Sequence, residues 1–139
     1  MTDPYSLSRL CATLRDAPPD APLRFAAADA ATRGGWHVTR MSLAALGHVD
    51  CDGARSGGAE AVVEILDVAA GAPMPVGRFL LIADRSAAAL PGLDEAPLRV
   101  ALEGARHAVA GVEADGAVTV RLRRERASCR PAAASAACC

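Results

Sequence analysis

Apolar positions fall at helical spacing in two stretches of the chain and at strand spacing in most of the rest. Leu7, Leu10, Cys11 and Leu14 stand at i, i+3, i+4 and i+7 with Ser6 as a cap, which predicts a helix over about 6–16. Pro18-Pro19 and Pro22 stop it and force an extended entry into Leu23-Arg24-Phe25. After Gly34-Gly35, the run Trp36-His37-Val38-Thr39-Arg40-Met41 alternates β-formers with polar residues, as a half-buried strand does. His48 to Cys51 reads as a further short strand ending at Asp52-Gly53, and Gly57-Gly58 reads as a loop. Ala61 to Leu66 is the strongest strand signal in the chain. Pro75 then starts a second helix, predicted over 76–89 from the shared face of Val76, Phe79, Leu80 and Ala83, and Pro91-Gly92 closes it. Leu98 to Leu102 alternates, and Val109, Val112, Val118, Val120 and Leu122 flank Asp115-Gly116, the commonest two-residue hairpin chemistry. The expected order is α-β-β-β-β-α-β-β-β. It predicts an α+β single domain over 1–127, about a quarter helical, with a mostly antiparallel sheet and two helices on one face. Beyond it, 128–139 has no apolar period and reads as a flexible cysteine-containing tail.

Composition narrows the chemistry. Leu, Ile, Val and Phe make up about a fifth of the 139 residues, and the formal net charge of −1 does not favour disorder. The expected core is Leu, Val and Ala rather than aromatics. Lys, Asn and Gln are absent, which excludes a phosphate-loop lysine, a Schiff-base lysine and an Asn or Gln oxyanion donor. No apolar run reaches the roughly 18 residues of a membrane span, and no basic region precedes an apolar one at the start. A cytoplasmic chain with reduced thiols is therefore expected, and its five cysteines read as ligands, redox groups or buried residues rather than a disulfide framework.

Charge and sulfur both concentrate at the end. Arg121, Arg123, Arg124, Arg126 and Arg130 face only Glu125 in their stretch, whereas residues 1–120 are acidic on balance. Cys129, Cys138 and Cys139 form a C-x₈-C-C spacing. Three soft thiolates on one tether suit a soft metal or a trivalent metalloid, and the adjacent arginines favour the thiolate. A four-ligand structural zinc is less natural, because the tail offers three sulfurs and no His. A second constellation, Trp36-His37 with His48-Val49-Asp50-Cys51-Asp52, matches no catalytic signature. Alternation places His37 and Thr39 on one face and Trp36 on the core side, so His37 reads as structural and Cys51 as a buried small residue. The arginine strip reads as charge protecting an edge strand, and neither a nucleic-acid partner nor a membrane is expected. Asp50/Asp52 and Asp94/Glu95 are loop carboxylates with no assigned acid–base role.

Taken together, Gly35-Trp36-His37-Val38-Thr39, Val49-Asp50-Cys51 with Gly53, the mid-chain helix and the Cys129-x-Pro131…Cys138-Cys139 ending resemble a small uncharacterised bacterial family. It is a domain of unknown function, often encoded beside arsenic-resistance operons, and the resemblance covers about residues 7 to 139. Its pattern has an acidic residue where Arg40 stands and a second glycine where Asp52 stands. The resemblance implies a genomic context and no reaction. The expected function is a cytoplasmic accessory protein that binds arsenite or another thiophilic metal or metalloid through Cys129, Cys138 and Cys139. No catalytic residue and no cofactor are assigned. Two alternatives stand beside it: an interaction domain, homodimeric through an edge strand, with an incidental tail, and a thiol-dependent oxidoreductase.

Overall fold

The computed structural model describes residues 5–28, 35–67 and 71–125. Two helices and one six-stranded sheet make an α+β domain, with α1 at Leu7–Leu14, β1 at Leu23–Ala27, β2 at Trp36–Val49 and β3 at Arg55–Asp67. Then come α2 at Val76–Ala89, β4 at Leu98–Leu102, β5 at Ala105–Ala114 and β6 at Val118–Arg124. The helices hold 8 and 14 residues, less than the expected quarter of the chain. Both start where the sequence says. Ser6 Oγ accepts from the Arg9 amide at 3.1 Å, and Pro75 precedes α2.

Spatial order in the sheet is β1-β6-β5-β4-β3-β2. The β2/β3, β4/β5 and β5/β6 joints are antiparallel and β1/β6 and β3/β4 are parallel, so the sheet is mixed, with three of its five joints antiparallel. The parallel joint between β3 and β4 exists because α2 lies between them in sequence and carries the chain back to the same end. The β1/β6 joint joins the first and last strands, so β6 lies inside the sheet. The arginine strip therefore does not protect an edge, contrary to expectation.

One core lies between the helices and the inner face of the sheet. Leu7, Leu10, Cys11 and Leu14 of α1 and Val76, Phe79 and Ala83 of α2 pack there with Phe25, Trp36, Val63, Ile65, Val100, Val120 and Leu122. The core is not purely aliphatic. Phe25 sits 6.4 Å from Trp36 edge-on and 6.4 Å from Phe79 tilted, so both Phe and the single Trp of the chain share one cluster at its centre. The Phe25–Trp36 contact also shows that the sheet curls, bringing its first and last strands toward each other at this end.

Two local readings change. β2 is one strand of 14 residues, so the two strands expected at 36–41 and 48–51 are joined through Ser42–Gly47, and Cys51 lies beyond the strand. Gly57-Gly58 is not a loop but part of β3, opposite Gly47 and Leu46. A Cβ on Gly57 would meet the Leu46 carbonyl oxygen at 2.8 Å, so glycine is there to let two backbones approach. The β5–β6 hairpin turns at Asp115-Gly116 as expected, but with three residues between the Ala114↔Val118 pair. Among the described residues, no helix is long and apolar enough to cross a membrane.

Candidate functional site

The β2–β3 ladder outruns the rest of the sheet. β4 begins at Leu98 opposite Ala61, so among the described residues the pairs from Ala44↔Glu60 to Val49↔Arg55 have no third strand beside them. They form an arm about 20 Å long at ordinary strand rise. Its tip is tightly built. The Asp50 amide donates to the Ala54 carbonyl at 3.0 Å, and Asp50 Oδ1 accepts from the amides of Asp52 at 3.0 Å and Ala54 at 2.9 Å. Gly53 takes φ +81°, the left-handed position such a turn requires. Cys51 stands on this tip, exposed and disulfide-bonded, so the expectations of a buried small residue and of a reduced thiol are both corrected. Alternation failed there because the arm has left the core that would give it an inside.

The same geometry disperses the second constellation. His37 lies opposite Leu66 near the start of β2, and His48 lies opposite Ser56 near its end. Eleven residues of strand separate them, about 35 Å, so His37 does not meet His48 or Cys51. Trp36 is buried as expected and His37 is half-buried on the helix-free face. A bulge between Val38 and Arg40 puts Arg40 opposite Glu64, and Thr39 Oγ1 donates to the Glu64 carbonyl at 3.2 Å.

The helix-free face carries a lattice of charge. Arg40 pairs with Glu64, Arg99 with Glu125, and Arg106 with Glu60 and, at 3.7 Å, with Glu125. Arg121 reaches Glu113 at 3.2 Å. The Arg40 hydrogen bond holds the Glu64 carboxyl below its ordinary range and raises the guanidinium in turn. Apart from Glu125, which follows β6, these side chains belong to strands β2 to β6, and the signal is visible in sequence as Leu98-Arg99-Val100 and Val120-Arg121-Leu122. The sequence reading saw only the arginines of β6. Their carboxylate partners come from other strands and are hidden until the strand order is known.

On the opposite face, Cys11 lines a small cavity of about 110 Å³ between the helices with Leu7, Arg15, Ala83, Asp84 and Ala87. Burial pushes this thiol up to about 11, against a smaller pull from Arg15 and a push from Asp84. Arg15 and Asp84 bridge at 3.1 Å. Cys11 is a buried, protonated thiol and a poor nucleophile or ligand near neutral pH. Cys129, Cys138 and Cys139 lie outside the described residues. Among the described residues, no three His, Cys, Asp or Glu side chains gather in a way that could hold a metal ion. Compared with protein-family models, curated proteins and solved structures, the chain matches none.

Proposed function

We propose that this protein is a cytoplasmic accessory protein that binds arsenite, or a related thiophilic metal or metalloid, through Cys129, Cys138 and Cys139. The observation that carries the reading is the C-x₈-C-C spacing at the end of the chain. Arsenous acid exchanges its three hydroxyl groups for three thiols: three As–O bonds break, three As–S bonds form, and the three thiol protons leave in three waters. No oxidant or reductant is involved. Soft sulfur donors favour a trivalent centre of this kind over hard cations. Cys138 and Cys139 are adjacent, so once one sulfur has bound the other arrives at high effective concentration. The eight-residue loop back to Cys129 adds little closure entropy. Arg126 and Arg130 flank Cys129 in sequence, and nearby positive charge favours thiolate.

Native mass spectrometry of the reduced full-length chain with arsenite tests this. The expected product is one arsenic per chain with the mass of three waters lost. Replacing Cys129, Cys138 and Cys139 together by Ser should abolish it, and breaking the Cys138-Cys139 pair should weaken it more than replacing Cys129 alone. One-to-one binding retained by the triple variant would move the site to Cys51 and overturn the reading.

A further inference from the structure

We infer that the outer edge of β2 is the self-association surface of this protein, pairing with β2 of a second copy in antiparallel register centred on Ala45. Among the described residues, β2 is the last strand of the sheet, and its backbone pairs only with β3. An open edge is a template for another strand, and folded monomers usually block it with charge, proline, a bulge or a cover. The edge from Met41 to Val49 has none of these within it: nine residues carry no Asp, Glu, Lys, Arg or Pro, and the single bulge lies above, at Thr39. The arm behind this edge lacks a third strand, and a two-stranded ribbon alone in water is marginal. A further strand would supply what β4 does not reach.

The register follows from symmetry. A two-fold axis perpendicular to the sheet pairs the same edge with itself, antiparallel, and keeps the helix side of both copies on one face. Residues directly opposite each other must then point to the same face, so their numbers differ by an even count. Centring the pair on Ala45, the midpoint of the uncharged run, sets Met41 opposite Val49 and Leu43 opposite Gly47. It also sets Arg40 at one end against Asp50 of the other copy, so the ends are complementary in charge. Nine paired residues span about 30 Å. The two bodies lie on opposite sides of the new joint, and the hairpin tip of each copy runs alongside the body end of the other's β2.

Sedimentation of the full-length chain under reducing conditions tests the inference, since reductant removes any disulfide-linked species. The parent should sediment as a dimer. Ala45→Glu and Ala45→Lys each place like charges face to face at the axis, on an exposed residue outside the core, and should raise the dimer dissociation constant by roughly a hundredfold. Mixing the two variants should restore a dimer, seen by native mass spectrometry at the mixed mass, which also shows that both variants fold. A monomeric parent would overturn the inference, as it would mean that the edge is open or takes another kind of partner. A dimer that survives Ala45→Glu, or variants that fail to combine, would overturn it equally by placing association elsewhere. Arsenic binding enters none of these readouts.

Discussion

The two halves of the β2–β3 ladder share strands and hydrogen-bonding pattern but little else. From Trp36↔Asp67 to Leu43↔Ala61 the ladder is one wall of the core: Trp36 is 1% exposed, and Val63 and Ile65 pack under the helices. From Ala44↔Glu60 to Val49↔Arg55 the ladder continues without a third strand among the described residues, and Val49 is 69% exposed. Alternation of side chains stabilises a strand only where something lies against one of its faces. In the arm the stabilising work passes to backbone pairing, to close approach at glycine and to the turn at the tip.

The strongest way to break this comparison is to truncate one large side chain in each half. Trp36→Ala should cost about 3–5 kcal/mol, because it opens a cavity beside Phe25 in the centre of the core. Val49→Ala should change stability by no more than about 0.5 kcal/mol, as expected for an exposed site. Urea unfolding of both variants measures the gap, and comparable costs would show that the arm is packed after all.

A finer cut lies within the arm itself. Gly57→Ala pushes a Cβ to 2.8 Å from the Leu46 carbonyl oxygen, so backbone must shift, at about 1–3 kcal/mol. Gly47→Ala, on the paired residue, meets nothing within 4 Å and should be close to neutral. Equal effects would mean that composition, not approach distance, keeps glycine in the arm.

The same contrast explains what the sequence could say. Both helices and the strands β4 to β6 were legible because each has a buried side, and burial writes its period into the residues. Ser42-Leu43-Ala44-Ala45-Leu46-Gly47 has no such period because most of it has no inside, so β2 read as two pieces. Gly57-Gly58 read as a loop because glycine serves turns and close approach alike. The two parallel joints were out of reach, since periodicity marks a strand without naming its neighbour. For the candidate site, the spacing of Cys129, Cys138 and Cys139 is a statement of sequence alone. The separation of His37 from Cys51, by contrast, needed the length of β2.

At the tip, Asp50→Ala removes the oxygen that accepts from Asp52 and Ala54. The site is exposed and water can replace the acceptor, so the expected cost is about 0.5–1 kcal/mol. Hydrogen exchange should quicken at those two amides and stay unchanged in Val63 and Ile65. Quickening that spread into the core would join the two halves into one cooperative unit.

The smallest effect compares thiols from the two regions. Cys11 is 4% exposed and lines the cavity between the helices, whereas Cys51 is exposed on the tip. Cys51 is disulfide-bonded in the structure, so once reductant has opened that bond iodoacetamide should reach Cys51 well before Cys11, which peptide mass spectrometry resolves. Burial raises the Cys11 pKa from 9.0 to about 11 in the folded chain, so the folded state holds this proton more tightly than the unfolded one. The associated stability is fully present below about pH 9 and is lost as pH rises toward about 11. The chain contains no Lys and a single Tyr, so the other groups that titrate near that window are Tyr5 and the remaining cysteines, common to parent and variant. Cys11→Ala should start from a lower urea midpoint, because it leaves a small void, yet decline less steeply than the parent across the same pH range. Parallel declines would show that the pocket between the helices admits water freely, and would place Cys11 with the solvent-facing thiols rather than with the core.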